Sequence, residues 1–112
     1  MEATIQVNIT GVSGKDPARL QSSVDEALTS EESVGISYTV MSAKVEDADE
    51  DTGSVGIELT ITEAAIQHHF GENDAEDNMS EAGVSEVATA YLEKALNPIN
   101  EAEFEVEDIA IE

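Results

Sequence analysis

Four stretches of this chain alternate apolar and polar residues with a period of two, and no other feature constrains the fold as tightly. A strand sends successive side chains to opposite faces, so strict alternation means one dry side and one wet side. In residues 3–10, ATIQVNIT, Ile5, Val7 and Ile9 point one way, and Thr4, Gln6, Asn8 and Thr10 the other. Residues 34–45 set Ile36, Tyr38 and Val40 on one side. The pattern slips near Met41, after which Ala43 and Val45 take over, and a β-bulge accounts for the slip. Residues 54–62 turn Val55, Ile57, Leu59 and Ile61 inward and Glu58, Thr60 and Thr62 outward. Residues 103–112 place Phe104 and Val106 inward and Glu103, Glu105 and Glu107 outward. Strands of this kind build a sheet covered on one face only.

Two stretches carry the helical period instead. Asp16 is a good N-cap and Pro17 suits the first helical position. Leu20, Val24, Ala27 and Leu28 follow at helical spacing, which predicts a short amphipathic helix over 17–29. Val84, Val87, Ala88, Tyr91, Leu92, Ala95 and Leu96 give the longest periodic run, ending before Asn97-Pro98. Residues 62–71, TEAAIQHHFG, read either as a helix capped by Thr62 and stopped by Gly71 or as a continuation of the third strand. Residues 72–83, ENDAEDNMSEAG, read as a polar loop.

The predicted order is β-α-β-β-α-β in one α+β domain spanning residues 1–112. It resembles the ferredoxin-like split βαβ layout. That resemblance implies a four-stranded antiparallel sheet with two helices on one face and the last strand at an edge beside the first. A glutamate at every second position of that last strand blocks stray edge pairing. The open face, rich in Thr, Gln, Asn and Glu, is either solvated or a polar oligomer interface.

Charge sets the environment. The 112 residues include 26 acids and four bases (Lys15, Arg19, Lys44 and Lys94), for a net charge of −22. Such a surface repels itself in dilute buffer. In molar salt the Debye length shrinks to about 3 Å and most of that repulsion is screened. Hydrophobic residues make up 40%, too many for a disordered acidic tail. The acid excess, the scarcity of lysine, the many Ala, Val and Thr residues and the lack of cysteine resemble salt-adapted proteins of the haloarchaeal type. The acids are uneven: residues 1–45 hold six acids and three bases, residues 46–112 twenty acids and Lys94.

Several functions are disfavoured. Contacts to nucleic acid or to an anionic membrane need Lys and Arg, so neither is an expected partner. No apolar run is long enough to span a bilayer. The start, MEATIQVNIT, lacks the basic and apolar regions of an export signal, so the expected location is the cytoplasm of a high-salt cell or a virion. With no cysteine, thiolate metal sites and cysteine nucleophiles are excluded.

The stretch VEDADEDTGSVGIE, residues 45–58, comes nearest to a ligand motif. Counted from Asp47, positions 1, 3, 5 and 12 of a calcium loop fall on Asp47, Asp49, Asp51 and Glu58. The glycine expected at position 6 is one residue late, at Gly53, Ser54 stands at position 8, and the flanks are strands rather than helices. The four carboxylates are the candidate site for Ca or Mg. The competing reading is a hydrated hairpin tip that draws cations diffusely.

His68 and His69 are the only histidines and diverge as sequence neighbours, with Glu72 a partner for His68 only if the helix runs on. TGVSGKD, residues 10–16, resembles a phosphate loop but lacks the first glycine and has Asp16 after the lysine. No nucleophile elbow is present and no carboxylate pair stands out as acid and base. The expectation is therefore a non-enzymatic assembly or interaction module without a cofactor. It would act as a homo-oligomer or with protein partners, in an extreme halophile or its virus. By size and element order it looks similar to head-tail connector and tail-completion components. The alternatives are a small-ligand or divalent-cation-binding regulator, and an acidic partner for a basic protein.

Overall fold

The structure, a computed structural model, describes residues 1–31, 33–97 and 102–112. Nine elements follow one another: β1 (Glu2–Ser13), α1 (Pro17–Ser30), β2 (Ile36–Asp47), β3 (Thr52–Thr62), α2 (Glu63–Phe70), α3 (Glu72–Ala75), a 3-10 turn (Glu76–Asn78), α4 (Glu81–Ala95) and β4 (Glu103–Ile111). The strands form one antiparallel sheet in the order β2-β3-β1-β4. β1 and β3 are central; β2 and β4 are the edges.

The period-two pattern is realised most fully in the central pair. Ile5, Val7 and Ile9 of β1 and Val55, Ile57, Leu59 and Ile61 of β3 are all buried. They lie beneath Leu20, Val24 and Leu28 of α1, Ile66 of α2, and Val84, Leu92 and Leu96 from α4 and its end. Burying one such side chain contributes about 1.5–3 kcal/mol, so this layer dominates the stability of the fold. The N-cap is as expected: the Asp16 carboxylate accepts the Arg19 N–H at 2.9 Å.

β1 is longer than the alternation alone predicts. It runs on through Gly11 and Val12 to Ser13, with a register shift between Ile9 and Val12 that the positive φ of Gly11 (72°) accommodates. Val12 is fully buried, so the strand continues to Ser13 and the chain turns over residues 14–16. The slip foreseen near Met41 is present, as a register shift between Val40 and Ser42.

The segment between β3 and α4 departs from the expected two helices. Residues 63–70 are helical, and residues 72–83 form α3, the 3-10 turn and the first turn of α4 rather than a polar loop. The hidden reason is Ala75, which is buried and pins α3 to the core. Gly71, with φ of 91°, breaks the path between α2 and α3. Thr62 sits at the N-cap position of α2, but its hydroxyl donates to the Gly35 carbonyl at 2.9 Å instead of capping the helix.

Two glycines of β3 differ in what surrounds them. A Cβ on Gly53 would stand 2.2 Å from the Lys44 carbonyl oxygen, whereas one on Gly56 would meet nothing nearer than the Ser42 hydroxyl at 3.4 Å. Gly53→Ala is expected to destabilise the fold by about 1–3 kcal/mol through overpacking. Gly56→Ala should be neutral or stabilising, by up to about 1 kcal/mol, since it removes a strand glycine without a clash. Chemical denaturation in molar KCl checks both; equal effects would contradict this packing.

Candidate functional site

The acidic loop is a hairpin tip. β2 and β3 are joined by residues 48–51, with Asp47 paired to Thr52. The Asp47 carboxylate accepts the backbone N–H groups of Asp49 and Glu50, each at 3.1 Å. Asp51 takes a positive φ of 53°, and its carbonyl accepts the Gly14 N–H at 2.7 Å, tying the tip to the end of β1. Asp47, Asp49 and Asp51 thus share the tip. Glu58 does not: it lies six residues along β3 from Thr52, roughly 20 Å at strand rise. There its carboxylate accepts the Gln6 side-chain amide at 2.7 Å. Among the described residues, no group of three or more His, Cys, Asp or Glu side chains is placed to hold a metal ion. Gly53 serves the close approach of β2 and β3, which is why it comes one position late for a calcium loop.

The histidines lie on α2. His69 meets Glu86 of α4 at 3.4 Å and stacks edge-on against Phe70; Glu72 belongs to the next helix. A groove of about 370 Å³ runs between the end of α1, α2 and α4, gathering His68, His69, Lys94 and Tyr91 over Val34, Ile36 and Val87. The Tyr91 hydroxyl donates to the Leu28 carbonyl at 3.1 Å. Burial pushes the Tyr91 phenol up to about 12, with the nearby Tyr38 and Glu31 adding to it.

The segment resembling a phosphate loop is divided between β1 and the α1 cap. Gly11 lies inside the strand, and the Asp16 carboxylate already accepts an N–H at the helix start.

The sheet itself carries a feature that position-by-position reading does not show. In β1, β2 and β3, acids occur only at strand ends (Glu2, Glu46 and Asp47) and at Glu58, which is bonded to Gln6. Residues 33–45, which include nearly all of β2, contain no acid and one base, Lys44. The opposite edge, β4, carries Glu103, Glu105, Glu107 and Asp108. Glu107 is the bulged residue, at the register shift opposite Gln6 and Val7. A hollow of about 500 Å³ on the open face lies over Gly56, between Lys44 of β2 and Glu107 of β4, lined by Asn8, Ser42 and Ser54.

Apolar surface emerges along this neutral edge, and also at the end of β4, where Ile111 is 37% exposed. Val34 and Met41 are 54% and 53% exposed. The inward residues Ile36, Tyr38, Val40, Ala43 and Val45 stay half-buried although α1 packs over β2, because among the described residues no strand lies beyond this edge. The Tyr38 hydroxyl donates to the Asp25 carboxylate at 2.9 Å and bonds with Thr29, fastening α1 to this strand.

No protein-family model matches this chain, and no curated protein shows significant similarity to it.

Asp47→Ala is expected to cost about 1 kcal/mol by removing the turn's acceptor. Asp49→Ala should stay within about 0.5 kcal/mol, the range for an ordinary surface position. Urea unfolding of the pair checks this; equal losses would contradict the assigned roles. Tyr91 supplies a pH test. Its folded pKa lies above the ordinary phenol value of 10.0, so its contribution is full below pH 10 and lost as pH rises toward 12. Tyr91→Phe should flatten the fall in stability between pH 10 and pH 12 and cost about 1 kcal/mol at neutral pH through the lost hydrogen bond.

Proposed function

We propose that this chain is a non-enzymatic assembly module, joining protein subunits through the acid-free side of its sheet in the molar salt of an extreme halophile or a virus that infects one. The observation that carries this reading is the placement of charge. A chain of net charge −22 keeps residues 33–45, which hold all of β2 but its last two positions, and most of the open face free of acids and loads β4 instead. Surface exposed only to brine has no reason to be so divided. Val34 and Met41 emerge along the same neutral edge, as befits a surface that is covered in the assembled state.

The finer fold reading belongs with this proposal. Strand order β2-β3-β1-β4, with helical connections between β1 and β2 and between β3 and β4, supports the ferredoxin-like split βαβ layout. α2, α3 and the 3-10 turn are additions to its second connection. Head-tail connector and tail-completion parts of tailed viruses remain the analogous class, on size and element order. The location proposed is a high-salt cytoplasm or a virion. Among the described residues no helix is long and apolar enough to cross a membrane.

One observation favours a second reading, a small-ligand regulator. The groove between α1, α2 and α4 collects both histidines and Lys94, the one base in residues 46–112, around an apolar floor. A ligand of that class would raise the melting temperature on titration.

Light scattering in about 2–3 M KCl, where the Debye length is about 3 Å or less, tests the first reading. A mass above that of the 11.9 kDa chain is expected, and a lone monomer would overturn it. Desalting is expected to abolish the circular dichroism of the folded state; a fold retained in dilute buffer would remove the basis for the salt-adapted reading. An acidic partner for a basic protein would instead show binding that collapses as salt rises.

A further inference from the structure

β2 ends the sheet, so the N–H and C=O groups on its outer side are not bonded within it. An edge of 12 residues with such groups is a template for another strand unless something blocks it. β4 is blocked by Glu103, Glu105, Glu107 and Asp108; between Ile36 and Val45, β2 carries only Lys44 and the bulge near Met41, with Glu46, Asp47 and a second register shift confined to its last residues.

We infer that β2 pairs antiparallel with β2 of a second copy, about a two-fold axis normal to the sheet, joining two four-stranded sheets into one of eight strands. This rests on the assembly function proposed above and names its partner. A basic partner would be drawn to β4 and to the acidic loops rather than to a neutral strand. Another copy of a −22 chain faces the opposite problem, because it can come close only where neither copy presents acids. Residues 33–45 are that strip. The two-fold sends both β4 edges to the far ends of the joined sheet, as distant from each other as the geometry allows.

Charge, not packing, separates the two edges, since Phe104, Val106 and Ile109 of β4 are half-buried as well, but the β2 row suits the joint. The half-buried row Ile36, Tyr38, Val40, Ala43 and Val45 lacks cover on its outer side, and the same row from the second copy supplies it. A strand pairing β2 with β4 of the next copy would repeat without closing and would leave the glutamates of β4 inside the joint. Asp25, held by Tyr38, is an acid of α1 close to this edge. Its repulsion across the axis falls when salt screens it, so the pair tightens with salt.

The chain has no cysteine, so single-cysteine variants report one position each. Thr39→Cys and Ser42→Cys stand on the outward side of β2, and Glu105→Cys serves as the control on β4. Across a two-fold between paired strands, equivalent or diagonal side chains lie about 5–8 Å apart, within reach of a short bis-maleimide. In about 2–3 M KCl, the screened regime, at least one β2 variant is expected to give a covalent dimer while Glu105→Cys stays monomeric. A larger mass by light scattering with no β2 cross-link, or with Glu105→Cys linking equally well, overturns the β2 pairing and leaves the assembly reading standing. An uncross-linked wild-type monomer in the same salt overturns both. Thr39→Asp should keep the circular dichroism of the fold and weaken dimerisation at least about tenfold, equivalent to about 1.4 kcal/mol; unchanged dimerisation would overturn the pairing.

Discussion

The pairing of β1 with β3 is the interaction on which the rest of the structure depends. Among the described residues these two strands are the only ones flanked on both sides, and their inward residues form the floor of the core. Every helix is placed by that floor. Leu20, Val24 and Leu28 hold α1 over it, Ile66 and Ala65 hold α2, and the apolar stripe of α4 closes the other end. Because the central pair takes the deepest burial, the edge strands are left with half-covered apolar rows, and the two edges can be given different surfaces.

That difference links fold to function. Carboxylates keep a protein hydrated in brine, and they also repel a neighbouring copy. A chain that must both stay soluble and assemble has to sort its acids by place. Here they crowd β4, the hairpin tip and the exposed helix positions, while β2 up to Val45 and the adjoining open face, Glu58 apart, stay neutral. The hollow above Gly56, bounded by Lys44 and Glu107, marks where the neutral face meets the charged edge.

Much of this architecture was legible in the sequence because local pattern and burial agree. Leu20, Val24, Ala27 and Leu28 are the buried residues of α1, and the seven apolar positions read from 84 to 96 are all buried. What escaped had contextual causes. β1 runs on past Gly11 because Val12 finds a place in the core, and residues 72–78 are helical because Ala75 does. Neither residue forms part of a periodic run. The tip was legible as acidic, but the role of its carboxylates was not. Asp47 closes a turn, Asp51 supplies a carbonyl to Gly14, and Glu58 belongs to a bond with Gln6, a partner 52 positions away in the chain. The neutral edge was hidden for a similar reason. Scattered Ser, Thr and Ala positions become a surface only once the strand order places β2 outermost.

Residue-resolved amide hydrogen exchange in molar KCl, at low and at high protein concentration, tests the central claim most directly. If β2 is the joining edge, its outward amides between Ile36 and Val45 slow as concentration rises, while those of β4 between Glu103 and Ile111 do not change. Exchange in β2 that ignores concentration, or protection that appears in β4 instead, would contradict the account.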